Sequence, residues 1–525
     1  MTNEDNRCLA DLLLSDPGGD RIRIEQTKGG LLRDSFRWIL DNSEFQQWLH
    51  NGQSRLLWIK GDAGKGKTML MIGILDELSR QRGGPEQLTT NEILLYFLCQ
   101  GTDKRLNNAT AILRGLIYLL IIQQPSLISY LREKYDHAGR KLFEDSGAFY
   151  SLSRTFQSML QDPRLTTAYL AVDALDECDV GLADFLDFIN RTVSEPSTRV
   201  KWILSSRNRY DIEQRLKYHE SHTRLSLELN AKHISHAVDV YIDHKTTEIV
   251  CLQDHQALQE QVRGQLHQKS DGTFLWVALV IEELQDVLAG DILEVLEEIP
   301  SGLTPLYDRM MKQIHQLQRR YPQRCFFTLS IATLAYRPLH LLEMQTVSGL
   351  QKDIRGLADL KGIISMCGSF LTIRDNYVYF IHQSAKDYLT INASTAIFPD
   401  GPGQVHYSIF VRSLDALSTT LRQNMYNLTD YGPVRKDQQP DPDPLASVRY
   451  ACIFWLDHLG EVNGQILFDK RDLADDGAIP AFFEQHFLHW LESSSLIDKL
   501  SDAVLSFRKL LHRVQVCWIL LVITS

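Results

Sequence analysis

The sequence predicts an α/β fold in its first half, with a parallel β-sheet flanked by helices, and a mainly helical second half. Apolar runs of three to six residues occur at 56–59, 93–98, 168–172 and 202–204, separated by stretches with helical periodicity. Such alternation is typical of a parallel sheet with helices on both faces. From about residue 226 the strand signals fade and helical patterns dominate, as at 274–287 and 303–317.

Length and composition limit the class of protein. The chain has 525 residues, which is too long for a single hydrophobic core, so we expect several domains. Hydrophobic residues make up 44% and charged residues 23%, as in ordinary globular proteins. The formal net charge of −11 argues against general nucleic-acid binding, because there is no excess of basic residues to displace counterions. We therefore expect no direct nucleic-acid partner.

Cysteine usage and the apolar runs predict a cytoplasmic protein. The eight cysteines are widely spread and include no C-x-x-C pair, which favours free thiols over disulfides or a zinc site. The polar, acidic N-terminus does not resemble a secretory signal. Runs 116–122 and 514–524 are shorter than the roughly 20 residues that a membrane helix needs, so we expect no membrane span.

A phosphate-binding loop is predicted between the first strand and the helix that follows it. The pattern G-x-x-x-x-G-K-[ST] is matched by Gly61, Asp62, Ala63, Gly64, Lys65, Gly66, Lys67 and Thr68. Glycines let backbone N–H groups face phosphate oxygens, and the helix N-terminus adds its positive dipole end. Lys67 can reach the β- and γ-phosphates, and the Thr68 hydroxyl can bind Mg²⁺. A chance match is disfavoured by the position of the motif between a predicted strand and a predicted helix.

An acidic strand end supplies a second part of the predicted site. The run 168–172 is followed by Asp173, Asp176 and Glu177. Asp173 is predicted to hold Mg²⁺ through water, and either Asp176 or Glu177 to orient or deprotonate the attacking water. The sequence leaves the choice between these two carboxylates open. Alone, the run would equally suit a strand that ends in a solvated acidic loop.

Arg207 follows the next predicted strand, at 202–204. Because the carboxyl ends of parallel strands converge on the ligand crevice, Arg207 is predicted to approach the γ-phosphate. A charge-assisted contact there would distinguish a triphosphate from a diphosphate. The alternative is a solvated loop arginine.

The chain resembles the NACHT group of signal-transducing P-loop NTPases (STAND, NOD-like receptor type), and in particular fungal heterokaryon-incompatibility proteins. The segments that carry the resemblance are 61–69 (GDAGKGKTM), 172–178 (VDALDEC), 24–40 (IEQTKGGLLRDSFRWIL), 272–276 (GTFLW), 299–307 (IPSGLTPLY) and 380–389 (FIHQSAKDYL). It implies that Met69 belongs to the nucleotide-binding loop. It also implies that His382 of a winged-helix domain contacts a bound diphosphate and helps to hold a closed state.

The resemblance also implies a domain order. We expect an N-terminal helical lead-in at 1–45, a NACHT P-loop NTPase domain at 46–225 and a helical arm at 226–300. A winged-helix-like domain at 301–400 and a C-terminal helical region at 401–525 follow. Relatives usually carry an effector domain before this part and repeats after it, so we expect a bare central switch, either a truncated product or an incomplete gene model.

Three functions are compatible with these features. The first is a nucleotide-dependent signalling switch that binds ATP or GTP with Mg²⁺, hydrolyses it slowly and thereby controls oligomerisation. The second is a scaffold fragment that acts through larger NACHT partners. The third, a motor or phosphotransferase, lacks any sequence sign of a second-substrate pocket. The loop grips phosphates and not the base, so ATP and GTP are not distinguished.

Overall fold

The computed structural model describes residues 1–81, 92–165, 167–195, 199–216, 222–350, 356–428, 440–462, 474 and 477–511. The chain divides into two compact units, Met1–Leu306 and Tyr307–Ser525. The apolar run 514–524, and residues 430–439 of a Pro- and Asp-rich stretch with the composition of an exposed loop, lie outside the described residues.

The first unit contains five strands and fifteen α-helices within the described residues, besides one helix that crosses its boundary. These are α1 Asn3–Leu12, α2 Pro17–Thr27, α3 Arg33–Phe36, α4 Ser43–His50, β1 Leu56–Lys60, α5 Lys67–Gln81, β2 Ile93–Leu98, α6 Ala109–Gln123, α7 Ile128–Ala138, α8 Lys141–Glu144, α9 Ala148–Leu160, β3 Ala168–Asp173, α10 Leu182–Ser194, β4 Val200–Ser206, α11 Tyr210–Arg215, β5 His222–Ser226, α12 Ala231–Thr246, α13 Gln256–Lys269, α14 Phe274–Leu284 and α15 Ile292–Glu298. Short 3₁₀ turns lie at Arg37–Asp41, Pro125–Leu127, Leu175–Glu177 and Val250–Leu252. Helix α16, Leu303–Gln316, crosses the boundary between the units.

The five strands form one parallel sheet in the order β2-β3-β4-β1-β5. Trp58 of β1 belongs to a buried core that includes residues of α6, α9 and α10. Its neighbours Leu57 and Ile59 are equally buried and, by the alternation of side chains along a strand, face the other side. Both faces of the sheet are therefore covered, as a parallel sheet requires. All five strands end at the same edge.

The predicted α/β class with a mainly helical remainder is confirmed. The four predicted apolar runs all lie within strands, β1 to β4. Strand β5 was not predicted, because its sequence HTRLS contains one strongly apolar residue. Between residues 31 and 40 only Arg33–Phe36 is α-helical, and the chain then tightens into a 3₁₀ turn. No side-chain hydrogen bond caps this helix.

The second unit is mainly helical within the described residues. Its further elements are α17 Tyr321–Leu334, β6 Leu339–His340, α18 Leu341–Ser348, α19 Leu357–Met366, β7 Leu371–Arg374, β8 Tyr377–Phe380, α20 Gln383–Ile391, α21 Ser394–Ile397, α22 Pro402–Thr420, α23 Arg449–Glu461 and α24 Ala478–Leu496, with a 3₁₀ turn at Gly368–Phe370. Residues 500–511 are also helical. The strands form a small antiparallel sheet in the order β6-β8-β7. The winged-helix assignment and the domain boundaries stay predictions.

The described residues contain no helix with both the length and the apolar character needed to cross a bilayer. The seven cysteines in the described ranges have free thiols. Cys517 lies outside those ranges.

Candidate functional site

The glycine-rich loop joins the end of β1 to the start of α5. Gly64 and Gly66 adopt φ of +78° and +81°, which only glycine adopts without strain. Helix α5 begins at Lys67, so its first free backbone N–H groups lie in or next to the loop. The local conformation is therefore that of an anion-binding turn at a helix N-terminus.

Gly66→Ala is expected to destabilise the first unit. A Cβ atom at this position would lie 2.8 Å from Cδ2 of Phe274, and the positive φ would add backbone strain. Together these effects should cost about 1–3 kcal/mol of folding free energy. Thermal unfolding of the purified variant measures the loss.

Gly52→Ala is the matched control, because a Cβ at Gly52 meets nothing within 4 Å. The double variant Gly66→Ala, Phe274→Ala separates the steric contribution from the backbone contribution. Equal melting temperatures for Gly66→Ala and Gly52→Ala would contradict the loop geometry.

The two lysines of the loop point to different partners. The Lys67 ammonium donates to the carbonyl oxygens of Gly61, at 2.7 Å, and Asp62, at 2.9 Å. The Lys65 ammonium instead donates to the carbonyl oxygens of Asp271, at 2.8 Å, and Gly272, at 3.1 Å. Lys65 thus ties the loop to the segment before α14. The Lys67 ammonium stays bonded to its own loop.

Burial lowers the pKa of Lys67, and the carboxylates of Asp176 and Asp173 oppose this effect. Both carboxylates therefore lie within electrostatic range of the Lys67 ammonium. Thr68 follows in the first turn of α5, and within the described residues its hydroxyl has no hydrogen-bond partner.

Asp173 ends β3 and is 2% exposed. One of its carboxylate oxygens, Oδ1, accepts a short hydrogen bond from the Ser205 hydroxyl of β4. The same hydroxyl accepts from the N–H of Ala174 at 2.9 Å. Ala174 has a φ of +53°, a left-handed conformation that turns the chain sharply after the carboxylate. Ser205 thus fixes the orientation of Asp173.

Asp176 and Arg207 form an ion pair across adjacent strand ends. The side-chain Nε atom of Arg207 lies 3.2 Å from Oδ2 of Asp176, and the backbone N–H of Arg207 donates to Oδ1 at 2.9 Å. Arg209 adds a hydrogen bond to the Asp176 carbonyl oxygen at 2.9 Å. Both carboxylate oxygens of Asp176 therefore contact Arg207, which is kept at the sheet edge.

Glu177 has a different environment from Asp176. Its Oε2 accepts from the N–H of Gly101 at 2.7 Å, in the loop after β2. Its side chain keeps some solvent exposure but is closely packed, and this burial raises its pKa from an ordinary 4.5 to about 7. The hydrogen bond from Gly101 and the nearby Arg207 oppose the rise, while Asp176 and Asp173 support it. Glu177 is thus a carboxyl that exchanges its proton near neutral pH.

Glu177→Gln is expected to remove a pH dependence of stability. A carboxyl whose folded pKa is raised binds its proton more tightly when folded, so the free energy of unfolding falls as pH rises from 4.5 to about 7. Gln still accepts from Gly101 and carries no charge. The difference in free energy of unfolding between the variant and wild type should therefore be about 1–3 kcal/mol more in favour of the variant at pH 8 than at pH 5.

Unfolding midpoints of both proteins from pH 5 to 8, without nucleotide, measure this difference. Glu133→Gln, at an exposed position, is the control. A constant difference between Glu177→Gln and wild type would contradict the raised pKa.

Two polar residues that the sequence did not single out hold the outer side of the loop. Glu228, just after β5, accepts from the N–H of Asp62 at 2.8 Å. Asn208 donates to Oδ1 of Asp62 at 3.1 Å and to Oε1 of Glu228 at 3.3 Å. Only their position in the sequence could have indicated them, since each follows the carboxyl end of a strand. Ser205 carries the same signal.

His382 lies in the second unit, where it caps α20. Its Nδ1 accepts from the N–H of Ser384 at 3.1 Å and lies 2.8 Å from the Ser384 hydroxyl. That hydroxyl also lies 2.9 Å from the hydroxyl of Tyr307. The predicted contact of His382 with a diphosphate stays a prediction.

The first unit therefore brings most predicted site residues to one sheet edge. Gly61–Thr68 follow β1, Asp173 ends β3 and is followed by Asp176 and Glu177, and Arg207 follows β4, the strand between β3 and β1. The residues fit a Mg²⁺–polyphosphate group, since the N-terminus of α5, Lys67 and Thr68 lie at the same sheet edge as Asp173, which has one carboxylate oxygen held by Ser205. Met69 lies in the first turn of α5, next to Thr68.

Comparison with known proteins supports the resemblance to fungal incompatibility proteins. The family described as Nephrocystin 3, N-terminal, matches residues 34–207, which include the loop and both strand ends. The vegetative incompatibility protein HET-E-1 of Podospora anserina is 45% identical over an alignment that covers 97% of this chain and 38% of that protein. The predicted resemblance is confirmed by this match. The chain spans well under half of the length of this relative.

Solved structures resemble the chain only distantly. A Walker-type ATPase of Pyrococcus abyssi matches with a TM-score of 0.31 and 14% identity, covering 66% of this chain and 94% of that one. The ORC2 protein of Aeropyrum pernix in its ADP form gives 0.30 and 12%, covering 67% and 90%. TM-scores this low do not identify a fold, so the fold is defined by the strand order β2-β3-β4-β1-β5.

Proposed function

We propose that the chain is a nucleotide-dependent signalling switch that binds ATP or GTP with Mg²⁺. One observation carries this proposal. A left-handed glycine loop at the N-terminus of α5 shares a sheet edge with Asp173, and Lys67 lies within electrostatic range of that carboxylate. A tight polyphosphate site needs these parts together.

Each predicted residue has a place in this account. Backbone N–H groups of residues 61–69 hold the phosphates, and Lys67 exchanges its bonds to its own loop for phosphate oxygens. Thr68 and Asp173 would hold a Mg²⁺ ion, which would neutralise phosphate charge when bound. Arg207 approaches the terminal phosphate.

Slow hydrolysis is assigned to Glu177 in preference to Asp176. A general base works best with a pKa near the working pH, and Glu177 meets that condition. Asp176 is neutralised by Arg207 and holds it in place. An arginine that must leave a carboxylate to reach phosphate suits slow turnover better than rapid cycling. No observation favours a motor or a phosphotransferase.

The switching role rests on the relative and on the NACHT resemblance. HET-E-1 is described as a vegetative incompatibility protein, so we place this chain in incompatibility-type signalling of fungi. In the proposal, a diphosphate held with the help of His382 keeps a closed form, and a triphosphate releases it for self-association or for binding to larger NACHT proteins. Holding two such states apart needs several kcal/mol of differential affinity.

Nucleotide identification and mass measurement test the proposal together. Chromatography and mass spectrometry of nucleotide released from the purified chain should give a purine diphosphate or triphosphate. Size-exclusion with light scattering should give a larger mass with a slowly hydrolysed triphosphate than with the diphosphate. Identical masses in both states would favour the scaffold alternative, and steady turnover at many cycles per second would favour a motor.

A further inference from the structure

Lys28 ends the N-terminal helix α2 at the same edge of the first unit. Its N–H donates to the carbonyl oxygens of Ile24, at 3.1 Å, and Glu25, at 3.2 Å, so its backbone closes the helix. Gly29 and Gly30, both at φ of +83°, then turn the chain away. A cation at a helix C-terminus is favourable by itself, which is the simplest structural role for this lysine.

Helix α2 is attached to the elements that build the site. Arg21 forms an ion pair with Asp76 of α5, the helix that begins in the glycine loop. Arg23 donates to the side-chain oxygen of Gln100 at 2.8 Å, in the loop after β2. The next residue of that loop, Gly101, is the one that donates to Glu177. The end of α2 is therefore fixed against the carboxyl end of the sheet.

The side chain of Lys28 lies among the charges of the site. Its ammonium is within electrostatic range of the carboxylates of Asp173 and Glu177, and it also acts on the ammonium of Lys67. Burial lowers the pKa of Lys28, and the two carboxylates oppose this effect. Within the described residues the ammonium has no hydrogen-bond acceptor. The Nζ atom keeps contact with solvent, so the ammonium is available to donate to a phosphate oxygen in place of water.

We propose that Lys28 is a further phosphate-binding residue, which contacts the terminal phosphoryl group of a nucleoside triphosphate bound in the glycine loop. This inference rests on the proposed function and adds a specificity-determining residue to it. If Asp173 holds the metal ion of the nucleotide, as proposed above, it would mark the terminal-phosphate end of the site. Lys28 follows a helix that is fixed to the loop after β2 and is within electrostatic range of Asp173, which places it toward that end.

The charge balance of the site supports this position. Three cations, Lys28, Lys67 and Arg207, share it with the carboxylates of Asp173, Asp176 and Glu177. Arg207 is paired with Asp176, and Lys67 is bonded to its own loop. Among these three cations, Lys28 is the one whose ammonium forms no hydrogen bond with the described residues. No such bond therefore has to break before Lys28 binds phosphate. Contact with the γ-phosphate would link the N-terminal lead-in to the identity of the nucleotide.

Affinities for triphosphate and diphosphate test the role of Lys28. Wild type, Lys28→Ala and Lys28→Arg are titrated with ATP, GTP, ADP and GDP, each with excess Mg²⁺, and thermal melting confirms that each variant is folded. Lys28→Ala should weaken triphosphate binding about tenfold or more and diphosphate binding much less. Lys28→Arg, which keeps the charge, should restore most of the difference. Lys232→Ala, at an exposed position on α12, is the control.

Hydrogen exchange of α2 gives a second readout. Triphosphate should protect residues 17–28 more than diphosphate does in wild type, and the two should protect equally in Lys28→Ala. An equal loss of affinity for both nucleotides, or no loss, would overturn the role of Lys28 while leaving the proposed function intact. A wild-type protein that binds neither nucleotide would instead overturn the proposed function.

Discussion

Lys67→Ala is expected to reduce nucleotide affinity about 100-fold or more. The substitution removes a positive charge and the donors that replace bonds to Gly61 and Asp62 when phosphate binds. Two charge-assisted hydrogen bonds together are worth about 3–4 kcal/mol, which corresponds to that factor. The effect should be similar for ATP and GTP, because the lysine contacts phosphate and not the base. Calorimetric titration measures it directly.

Lys65→Ala provides a sharp comparison within the same loop. The Lys65 ammonium bonds to the carbonyl oxygens of Asp271 and Gly272, so its loss should loosen the attachment of the loop and lower the melting temperature. Its effect on affinity should be much smaller than that of Lys67→Ala. Equal losses for the two variants would show that loop stability, and not the Lys67 ammonium, determines binding.

Asp173→Asn is expected to separate metal binding from phosphate binding. Asn still accepts from the Ser205 hydroxyl, so the strand end keeps its shape, but the charge that holds Mg²⁺ is lost. Hydrolysis should fall about 100-fold, the size of effect seen when a group that stabilises developing charge is removed. Affinity measured with a chelator present should change little, whereas the gain in affinity that Mg²⁺ gives should disappear.

Asp145→Asn, at an exposed position, is the control for Asp173→Asn. A Ser205→Ala variant should give an intermediate loss, because it frees the carboxylate to rotate without removing it. An Asp173→Asn protein with an unchanged response to Mg²⁺ would place the metal ligand elsewhere.

The sequence predicted the site residues that lie within or beside a recognisable local pattern. The glycine loop, Asp173 and Arg207 each lie within or just after an apolar run, and the parallel order of strands brings those runs to one edge. The choice between Asp176 and Glu177 could not be made from the sequence, since it depends on contacts with Arg207 and Gly101. Those contacts are across strands and have no local pattern.

Residues that reach the site from distant segments were missed for the same reason. Lys28 lies in a helix that precedes β1, and only the attachment of α2 to α5 and to the loop after β2 places it near Asp173. Glu228 follows β5, a strand whose polar sequence gave no strand signal. Short polar strands and isolated charged residues are recognised only once their neighbours in space are known.

Equilibrium binding of purine nucleotide to the intact 525-residue chain tests the central claim most directly. The protein is stripped of bound nucleotide, shown by thermal melting to be folded, and titrated with ATP and with GTP in the presence of Mg²⁺. The account predicts one nucleotide bound per chain, with binding strongly weakened in Lys67→Ala. Folded wild-type protein that takes up neither nucleotide would contradict it.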